Sequence, residues 1–193
     1  GAGADIVLGG ECEQALVDWV AGRLPASPVV RERLDFPLPS RARLPGPDRY
    51  ARLARPGGDV LAGAVEASRG CKHLCRHCPI PAVYQGRFFT VPAAVVIEDA
   101  RRQVAAGAAH ITFSDPDFLN GPGHALKIAR TFHGEFPGVT FDATIKVEHI
   151  LRHRGAIAEL GALGCLFVVS AVESLSDLVL ERLHKGHTRA DVF

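Results

Sequence analysis

The sequence lacks methionine altogether and has no long apolar run. Because position 1 is not methionine, we expect the 193 residues to be a piece of a longer polypeptide. No stretch approaches the ~18 consecutive apolar residues of a membrane-spanning helix, and the first residues do not follow the order of a secretory signal. The formal net charge of +1 points to neither nucleic acid nor a membrane as a partner. Together these absences predict a cytoplasmic location.

The sequence also lacks an even set of cysteines from which a disulfide framework could be built. It contains five, and three of them stand in the stretch SRGCKHLCRHCPIP at the spacing C-x3-C-x2-C, as Cys71, Cys75 and Cys78. Clustered cysteines in a chain without a secretory signal are more typical of metal binding in a reducing compartment than of disulfides. No fourth cysteine stands nearby, so the spacing predicts a metal site with three protein ligands and one open position.

Composition divides the chain into three parts. Residues 1–25 contain one predicted β-α unit, in which the apolar run at 4–10 predicts a buried strand, and we interpret them as the remnant of a Rossmann-like domain. Residues 26–58 are rich in proline and arginine and are interpreted as a linker or wrapping segment. A nucleic-acid contact through the arginines is the alternative for this segment. Residues 59–193 form the third part.

In the third part, short apolar runs alternate regularly with helical patterns. The predicted strands and helices, in chain order, are a strand at 61–67, a helix at 92–108, a strand at 110–115, a helix at 122–135, a strand at 139–145, a helix at 148–163, a strand at 165–171 and a helix from 174. This order predicts parallel β-α-β units. We therefore expect an α/β fold whose partial (β/α) barrel stops after about four units. Chemistry in such barrels lies at the C-terminal ends of the strands, and the cysteine loop follows the first strand.

The cysteine motif in a loop directly after the first barrel strand resembles the signature of the radical S-adenosylmethionine (SAM) superfamily. The flanking SRGC, AVES and LHKGHT are similar to the branch that often carries an N-terminal cobalamin-binding domain, and the GECE of residues 10–13 resembles the end of such a domain. The resemblance covers roughly residues 60–193. It implies that Cys71, Cys75 and Cys78 hold a 4Fe-4S cluster whose fourth iron binds SAM.

The resemblance further implies an enzyme that cleaves SAM reductively to a 5'-deoxyadenosyl radical and modifies a substrate with it. The reaction stays open among methyl transfer, methylthiolation and radical rearrangement or peptide modification, and the substrate among RNA, a peptide and a small molecule. The implied cofactors are the cluster and SAM, with cobalamin as a further candidate in the full-length protein. The implied partner is an external electron donor of the flavodoxin or ferredoxin type.

The same resemblance implies cofactor-binding roles for residues that follow the first two strands. His77 precedes the third cysteine, where the family usually has an aromatic residue near the adenine. Ser114 and Asp115 follow the second strand, where a short polar motif holds the amino group of the methionine moiety. Asp117 is a weaker candidate for the same role. The alternative for Asp115 is an N-cap of the next helix.

The third and fourth strands supply the remaining candidates. Lys146 is expected to meet the carboxylate of the methionine moiety, although a surface lysine at a strand end is the alternative. Ser170 and Glu173 are placed for contact with the ribose or the substrate, and the alternative for Glu173 is a strand-end acid before a capping serine. The other histidines are interpreted as ordinary surface or capping residues: His110, His124, His133, His149, His153, His184 and His187.

A zinc site is the competing interpretation of the cysteines. His73 or His77 with the three thiolates would make a closed Cys3His site in a binding module for nucleic acid or protein. Zinc ribbons and fingers normally bring their ligands in two separated pairs, and this sequence has only one group. The spacing therefore favours the iron-sulfur cluster.

Overall fold

The structure, a computed structural model, describes residues 3–50 and 52–193, so parts of the predicted N-terminal remnant (residues 1 and 2) and linker (residue 51) lie outside it. The strands are β1 (Gly9–Gly10), β2 (Val29–Val30), β3 (Arg52–Leu53), β4 (Val60–Val65), β5 (Ser68–Gly70), β6 (Phe88–Thr90), β7 (His110–Phe113), β8 (Thr140–Thr144) and β9 (Cys165–Val169). The helices are α1 (Glu13–Val20), α2 (Ile80–Tyr84), α3 (Ala93–Ala105), α4 (Pro122–Glu135), α5 (Val147–Arg152), α6 (Arg154–Ala162) and α7 (Asp177–Arg182). None of the helices in these ranges is long and apolar enough to cross a membrane.

The main sheet has five strands in the order β3-β4-β7-β8-β9. Strands β4, β7, β8 and β9 are parallel, and only the short β3 runs antiparallel to its neighbour β4. Each parallel pair is connected through helices, as β-α-β units require. The predicted α/β fold with a partial barrel is confirmed, and the C-terminal ends of all four parallel strands lie at one edge of the sheet.

One face of the sheet packs against the helices and forms the core. Alternation along β7 and β8 turns Ile111, Phe113 and Phe141 toward this face, and all three are almost fully buried. The ring of Phe113 lies edge-on to Phe141, with the centroids 5.3 Å apart, and to Phe132 of α4 at 5.9 Å. Aromatic contacts of this kind add about 0.5–1.5 kcal/mol to area burial. The core therefore fixes the strand ends that support the site.

The other face of β7 and β8 carries a hydrogen-bonded polar group. His110 lies 2.8 Å from Thr140 Oγ1 through Nδ1 and 2.8 Å from Asp142 Oδ1 through Nε2. The Thr112 hydroxyl donates to the same Asp142 oxygen at 2.6 Å. The expectation that His110 is a surface residue is therefore wrong, because strand alternation places its ring between two polar partners inside the fold.

The N-terminal part differs from its prediction. The expected strand at 4–10 is reduced to Gly9–Gly10, which pairs in parallel with Val29–Val30, and Val7 is exposed. Helix α1 follows and ends at Val20. An apolar run alone does not make a strand when only its last two residues find a partner.

The proline- and arginine-rich segment lies against the barrel. Arg41 forms two hydrogen bonds of 2.7 Å with the buried carboxylate of Asp99 on α3 and donates to the carbonyl of Ala64 on β4. Arg31 donates to the carbonyl of Val83 at 2.5 Å. These contacts hold parts of the segment against the barrel through Arg31 and Arg41.

Two local features were not expected from the sequence. The predicted helix at 148–163 is broken at His153, which leaves the helical conformation at φ −117° and ψ 43° and separates α5 from α6. Strands β5 and β6 pair antiparallel on either side of the cysteine loop, with Ser68 opposite Thr90 and Gly70 opposite Phe88. The loop is therefore held at its base by a short hairpin-like ladder.

Candidate functional site

The three clustered cysteines line one cavity at the C-terminal edge of the sheet. Cys71, Cys75 and Cys78 all contribute to this cavity of about 190 Å³, which we call the cysteine cavity. Gly70 directly precedes it with φ +75°, and a Cβ at this position would lie 2.4 Å from the Arg87 carbonyl oxygen. Only glycine fits such a turn without strain, so the sequence Gly-Cys is required for the chain to enter the loop here.

The neighbours of the thiols are neutral acceptors. Cys71 Sγ lies 3.7 Å from Asn120 Oδ1, and burial raises the pKa of this thiol. Asn120 Oδ1 also accepts a hydrogen bond from the Lys72 amide, which fixes the first turn of the loop. Cys75 is buried and lies 3.5 Å from the His184 carbonyl oxygen. Metal binding would deprotonate the thiols and offset the effect of burial.

The donor set fits an iron-sulfur cluster better than a single zinc ion. Within residues 3–50 and 52–193, the only three metal-ligating side chains that come within 4.8 Å of one another are His73, Asp117 and His149. The thiols are therefore spread wider than the ligands of one ion, and neither His73 nor His77 closes a Cys3His set with them. Thiols around a shared cavity suit a larger group that takes one thiolate per iron.

Three of the predicted cofactor-binding residues line the same cavity. His77, Lys146 and Glu173 contribute to its wall together with the cysteines. His77 Nε2 lies 3.0 Å from Glu173 Oε1, and Lys146 Nζ donates to Glu148 Oε2 at 2.8 Å. Glu173 has φ +69°, a left-handed conformation that is uncommon for a residue other than glycine and is often found at binding sites. The cavity thus presents both a cation and an anion to a bound molecule.

Three other predicted residues, Ser114, Asp115 and Ser170, do not line the cavity. The Ser114 hydroxyl donates to the Val65 carbonyl at 3.0 Å. Asp115 is buried and accepts hydrogen bonds from the Ala67 amide at 3.0 Å and from the Ser68 hydroxyl. Burial raises the pKa of Asp115 to about 6, although both hydrogen bonds act in the opposite direction. The hydroxyl of Ser170 is buried without a hydrogen-bond partner in the described part of the chain and does not line the cavity.

Several residues of the site were not predicted from the sequence, or were predicted only as weaker candidates. Asp117, Lys185 and His73 line the cavity, and His149 is buried directly behind it, so its interpretation as a surface histidine is wrong. His187 is also buried, and neither of its ring nitrogens has a partner within the described ranges. The signal for His149 was its place just after β8, because residues that follow parallel strands lie at the edge where sites form.

The N-terminal part is joined to the cysteine loop by a charged network. Arg69, two residues before Cys71, forms ion pairs with Glu13, with Glu66 at 2.7 Å and with the fully buried Glu11 at 3.4 Å. The Tyr84 hydroxyl donates to Glu11 at 2.9 Å. Burial raises the pKa of Glu11, while the hydrogen bond from Tyr84 and the charge of Arg69 act in the opposite direction. The GECE residues therefore contact the base of the loop.

Solved structures of similar fold include radical SAM enzymes, and two of these structures contain cobalamin. The methyltransferase TsrM from Kitasatospora setae, in its form with cobalamin and a [4Fe-4S] cluster, superimposes with a TM-score of 0.59 at 18% identity over 69% of this chain and 26% of its own. A second TsrM structure, with tryptophan substrate and the SAM analogue aza-SAM, gives the same TM-score. OxsB with aqua-cobalamin and SAM gives 0.56 at 17% identity over 66% of this chain and 20% of its own.

The chain thus spans about a quarter or less of the length of these structures, and at such identities the likeness concerns the fold. The sequence itself is matched by the family model "Radical SAM superfamily" over residues 65–193, which include the end of β4, the cysteine loop and the parallel strands β7, β8 and β9. Fold, cysteine cavity and family model agree: the chain belongs to the radical SAM superfamily.

Proposed function

We propose that this chain carries the cluster- and SAM-binding part of a radical SAM enzyme. The observation that carries the proposal is the shared cavity, in which the three cysteines meet the cation of Lys146 and the carboxylate of Glu173. Cys71, Cys75 and Cys78 would hold a 4Fe-4S cluster and leave one iron free for SAM. When bound and reduced, the cluster supplies the electron that cleaves the sulfonium of SAM to methionine and a 5'-deoxyadenosyl radical.

The cavity offers a partner for each charged end of the methionine moiety. Lys146 is nearly buried and is the cation that we assign to the carboxylate. We assign the ammonium group to Glu173 in preference to Asp117, because the Glu173 side chain is 31% exposed and that of Asp117 only 3%. His77, beside Glu173, is placed to contact the adenine or ribose. Charge-assisted hydrogen bonds of this kind each contribute about 1.5–3 kcal/mol.

Asp115 takes a different role in this proposal from the one its sequence position suggests. Both of its carboxylate oxygens already accept hydrogen bonds, from Ala67 and Ser68, at the start of β5. We infer that Asp115 positions the strand that leads into the cysteine loop. A direct contact with the SAM amino group stays the competing prediction.

For the reaction itself, we propose methyl transfer assisted by cobalamin. It is supported by the branch-like motifs around the cysteines and by two solved relatives in fold, TsrM and OxsB, whose structures contain cobalamin. An electron donor of the flavodoxin or ferredoxin type would reduce the cluster. The corrin would be bound by residues outside this barrel.

Anaerobic reconstitution with iron and sulfide tests the cluster part of the proposal. The reconstituted protein should show a broad absorption band in the visible blue that bleaches with dithionite. Cys75→Ala should lose iron and the band, since two thiolates are too few to hold the cluster, whereas Cys165→Ala should retain both. A colourless protein that retains zinc, or equal iron loss in the two variants, would contradict the three-cysteine assignment.

A further inference from the structure

A second group of metal-ligating side chains lies behind the cysteine cavity. It consists of His73 in the cysteine loop, Asp117 after β7 and His149 in α5, and their ligand atoms lie within 4.8 Å of one another. His149 Nδ1 is 2.8 Å from Asp117 Oδ2, and His73 Nε2 is 3.8 Å from the same oxygen. These separations suit donors that share one ion at the 2.0–2.2 Å typical of zinc.

Two of the facing atoms contact each other at 2.8 Å but are not aligned for a hydrogen bond. Asp117 Oδ2 and His149 Nδ1 are both buried, and neither has a hydrogen-bond partner among residues 3–50 and 52–193 although they face each other. His73 Nε2 in turn lies 3.1 Å from His149 Nε2, and an ion at this place would replace that contact. The second oxygen, Asp117 Oδ1, is satisfied by the Leu119 amide at 3.1 Å. Buried polar atoms without partners are rare in native proteins and often mark the place of an ion or water.

The charges around the group permit a cation. Lys146 Nζ lies 3.1 Å from His73 Nδ1, but its charge is balanced by Glu148 at 2.8 Å. With neutral imidazoles, Asp117, Glu148 and Lys146 sum to one negative charge. In the structure without an ion, His73 Nδ1 accepts from Lys146 at 3.1 Å. Binding of an ion through His73 Nε2 would move the ring proton to Nδ1 and turn Lys146 wholly toward Glu148, whose Oε2 lies 3.7 Å from Nδ1, and a carboxylate beside the second nitrogen is typical of metal-ligating histidines.

We propose that His73, Asp117 and His149 bind one divalent transition-metal ion, of the class of Zn²⁺ or Fe²⁺, separate from the three-cysteine site. Two imidazoles and one carboxylate are a common ligand set for these ions and leave coordination positions open. His73 and Asp117 also line the cysteine cavity, so an open position faces the space where SAM is proposed to bind. The ion would join the cysteine loop, the end of β7 and the start of α5.

A protein without the loop cysteines isolates this site. In the full chain carrying Cys71→Ser, Cys75→Ser and Cys78→Ser, we expect one equivalent of Zn²⁺ to remain after dialysis against buffer without metal. Titration with Co²⁺ should give visible d–d bands without the sulfur charge-transfer absorption that thiolate ligands produce. Stoichiometry is measured by inductively coupled plasma mass spectrometry.

Ligand variants in the same background decide the assignment. His149→Ala and the isosteric Asp117→Asn should each weaken Co²⁺ binding by more than the ~10–100-fold typical of losing a residue that only orients a metal ligand. His153→Ala, four residues along the chain from His149 and outside the group, is the control and should bind as the parent does. A folded cysteine-free protein that retains no ion overturns the inference, and so does equal loss in His149→Ala and His153→Ala.

The inference and the proposed function fail separately. If the parent protein assembles a cluster but the cysteine-free variant binds no ion, only the second metal site is overturned. An ion in the cysteine-free variant, together with a parent that assembles no cluster, overturns only the radical SAM proposal. Unfolding curves of all variants by circular dichroism identify any variant whose lost binding reflects a lost fold.

Discussion

At the scale of single residues, the site depends on a few side chains whose surroundings define their chemistry. Lys146 and Asp115 illustrate the difference. Lys146 reaches the cysteine cavity, whereas Asp115 directs both oxygens back to Ala67 and Ser68. A sequence shows that a charged residue follows a strand, but the hydrogen bonds that it makes depend on the backbone of a neighbouring strand.

Replacing Lys146 tests its role in holding the SAM carboxylate. Lys146→Met should keep the cluster spectrum and weaken SAM binding about tenfold or more, because a charge-assisted hydrogen bond is worth about 1.5–3 kcal/mol. Lys127→Met, at an exposed position of α4, is the matched control. Equilibrium titration with SAM measures the affinity of both reconstituted variants. An unchanged affinity in Lys146→Met would show that Lys146 does not bind the SAM carboxylate.

Asp115 leads to a prediction about pH. Its pKa of about 6 in the folded protein lies above the unfolded value of 3.8, mainly because of burial. The folded state therefore binds more protons between these values, and stability falls as the pH rises from about 4 to 6. Relative to Asp115→Asn, the parent should lose on the order of 3 kcal/mol over this range.

Urea unfolding of parent and Asp115→Asn at several pH values measures this difference. Asp48→Asn, at an exposed position, should follow the parent. If parent and Asp115→Asn show parallel pH profiles, the carboxylate does not titrate as its burial indicates. The same variant also distinguishes the roles of Asp115, since a direct SAM contact predicts weaker SAM binding with the cluster intact.

At the scale of elements, the strands with strong apolar runs were predictable and the short ladder beside the site was not. The bounds of β4, β7, β8 and β9 lie within two residues of the predicted ones, because buried parallel strands are continuous apolar runs. β5 and β6 have three residues each, and β5 contains serine, arginine and glycine. Nothing in such a stretch indicates a strand, because its pairing depends on the approach of a distant segment.

Gly70 tests the role of this ladder. Gly70→Ala places a Cβ at φ +75° against the Arg87 carbonyl and should destabilise the fold by about 1–3 kcal/mol and reduce iron retention. Gly134→Ala is the matched control, because Gly134 lies in α4 with open space around it and alanine favours helix. Thermal unfolding and iron content measure the two effects. If both variants unfold at the same temperature and retain the same amount of iron, position 70 does not require glycine.

At the scale of the whole molecule, the partial barrel leaves one side of β9 without a strand neighbour in the described structure. Leu166 and Val169 of this strand are 47% and 50% exposed. Unprotected edges and apolar patches favour association between chains. The cavity, by contrast, needs only elements from β4 onward. The three cysteines stand together in the sequence and could be grouped from it, whereas His149 approaches from α5 and is brought near them only by the fold.

Introducing a charge at this edge should reduce association. Leu166→Lys should raise the monomer fraction in size-exclusion chromatography with light scattering, since an edge lysine disfavours pairing with another chain. Leu44→Lys is the control, because Leu44 is 51% exposed and lies in the proline- and arginine-rich segment. A similar gain in both variants would attribute the effect to added charge and not to the edge.

Cys71, Cys75 and Cys78 are proposed to hold a cluster with one iron open to SAM. Electron paramagnetic resonance of the reconstituted, dithionite-reduced protein, recorded with and without SAM, tests this proposal most directly. We expect the signal of a reduced 4Fe-4S cluster whose g values shift when SAM is added, and no such signal in Cys75→Ala. A cluster signal that SAM leaves unchanged, or one that persists in Cys75→Ala, would contradict it.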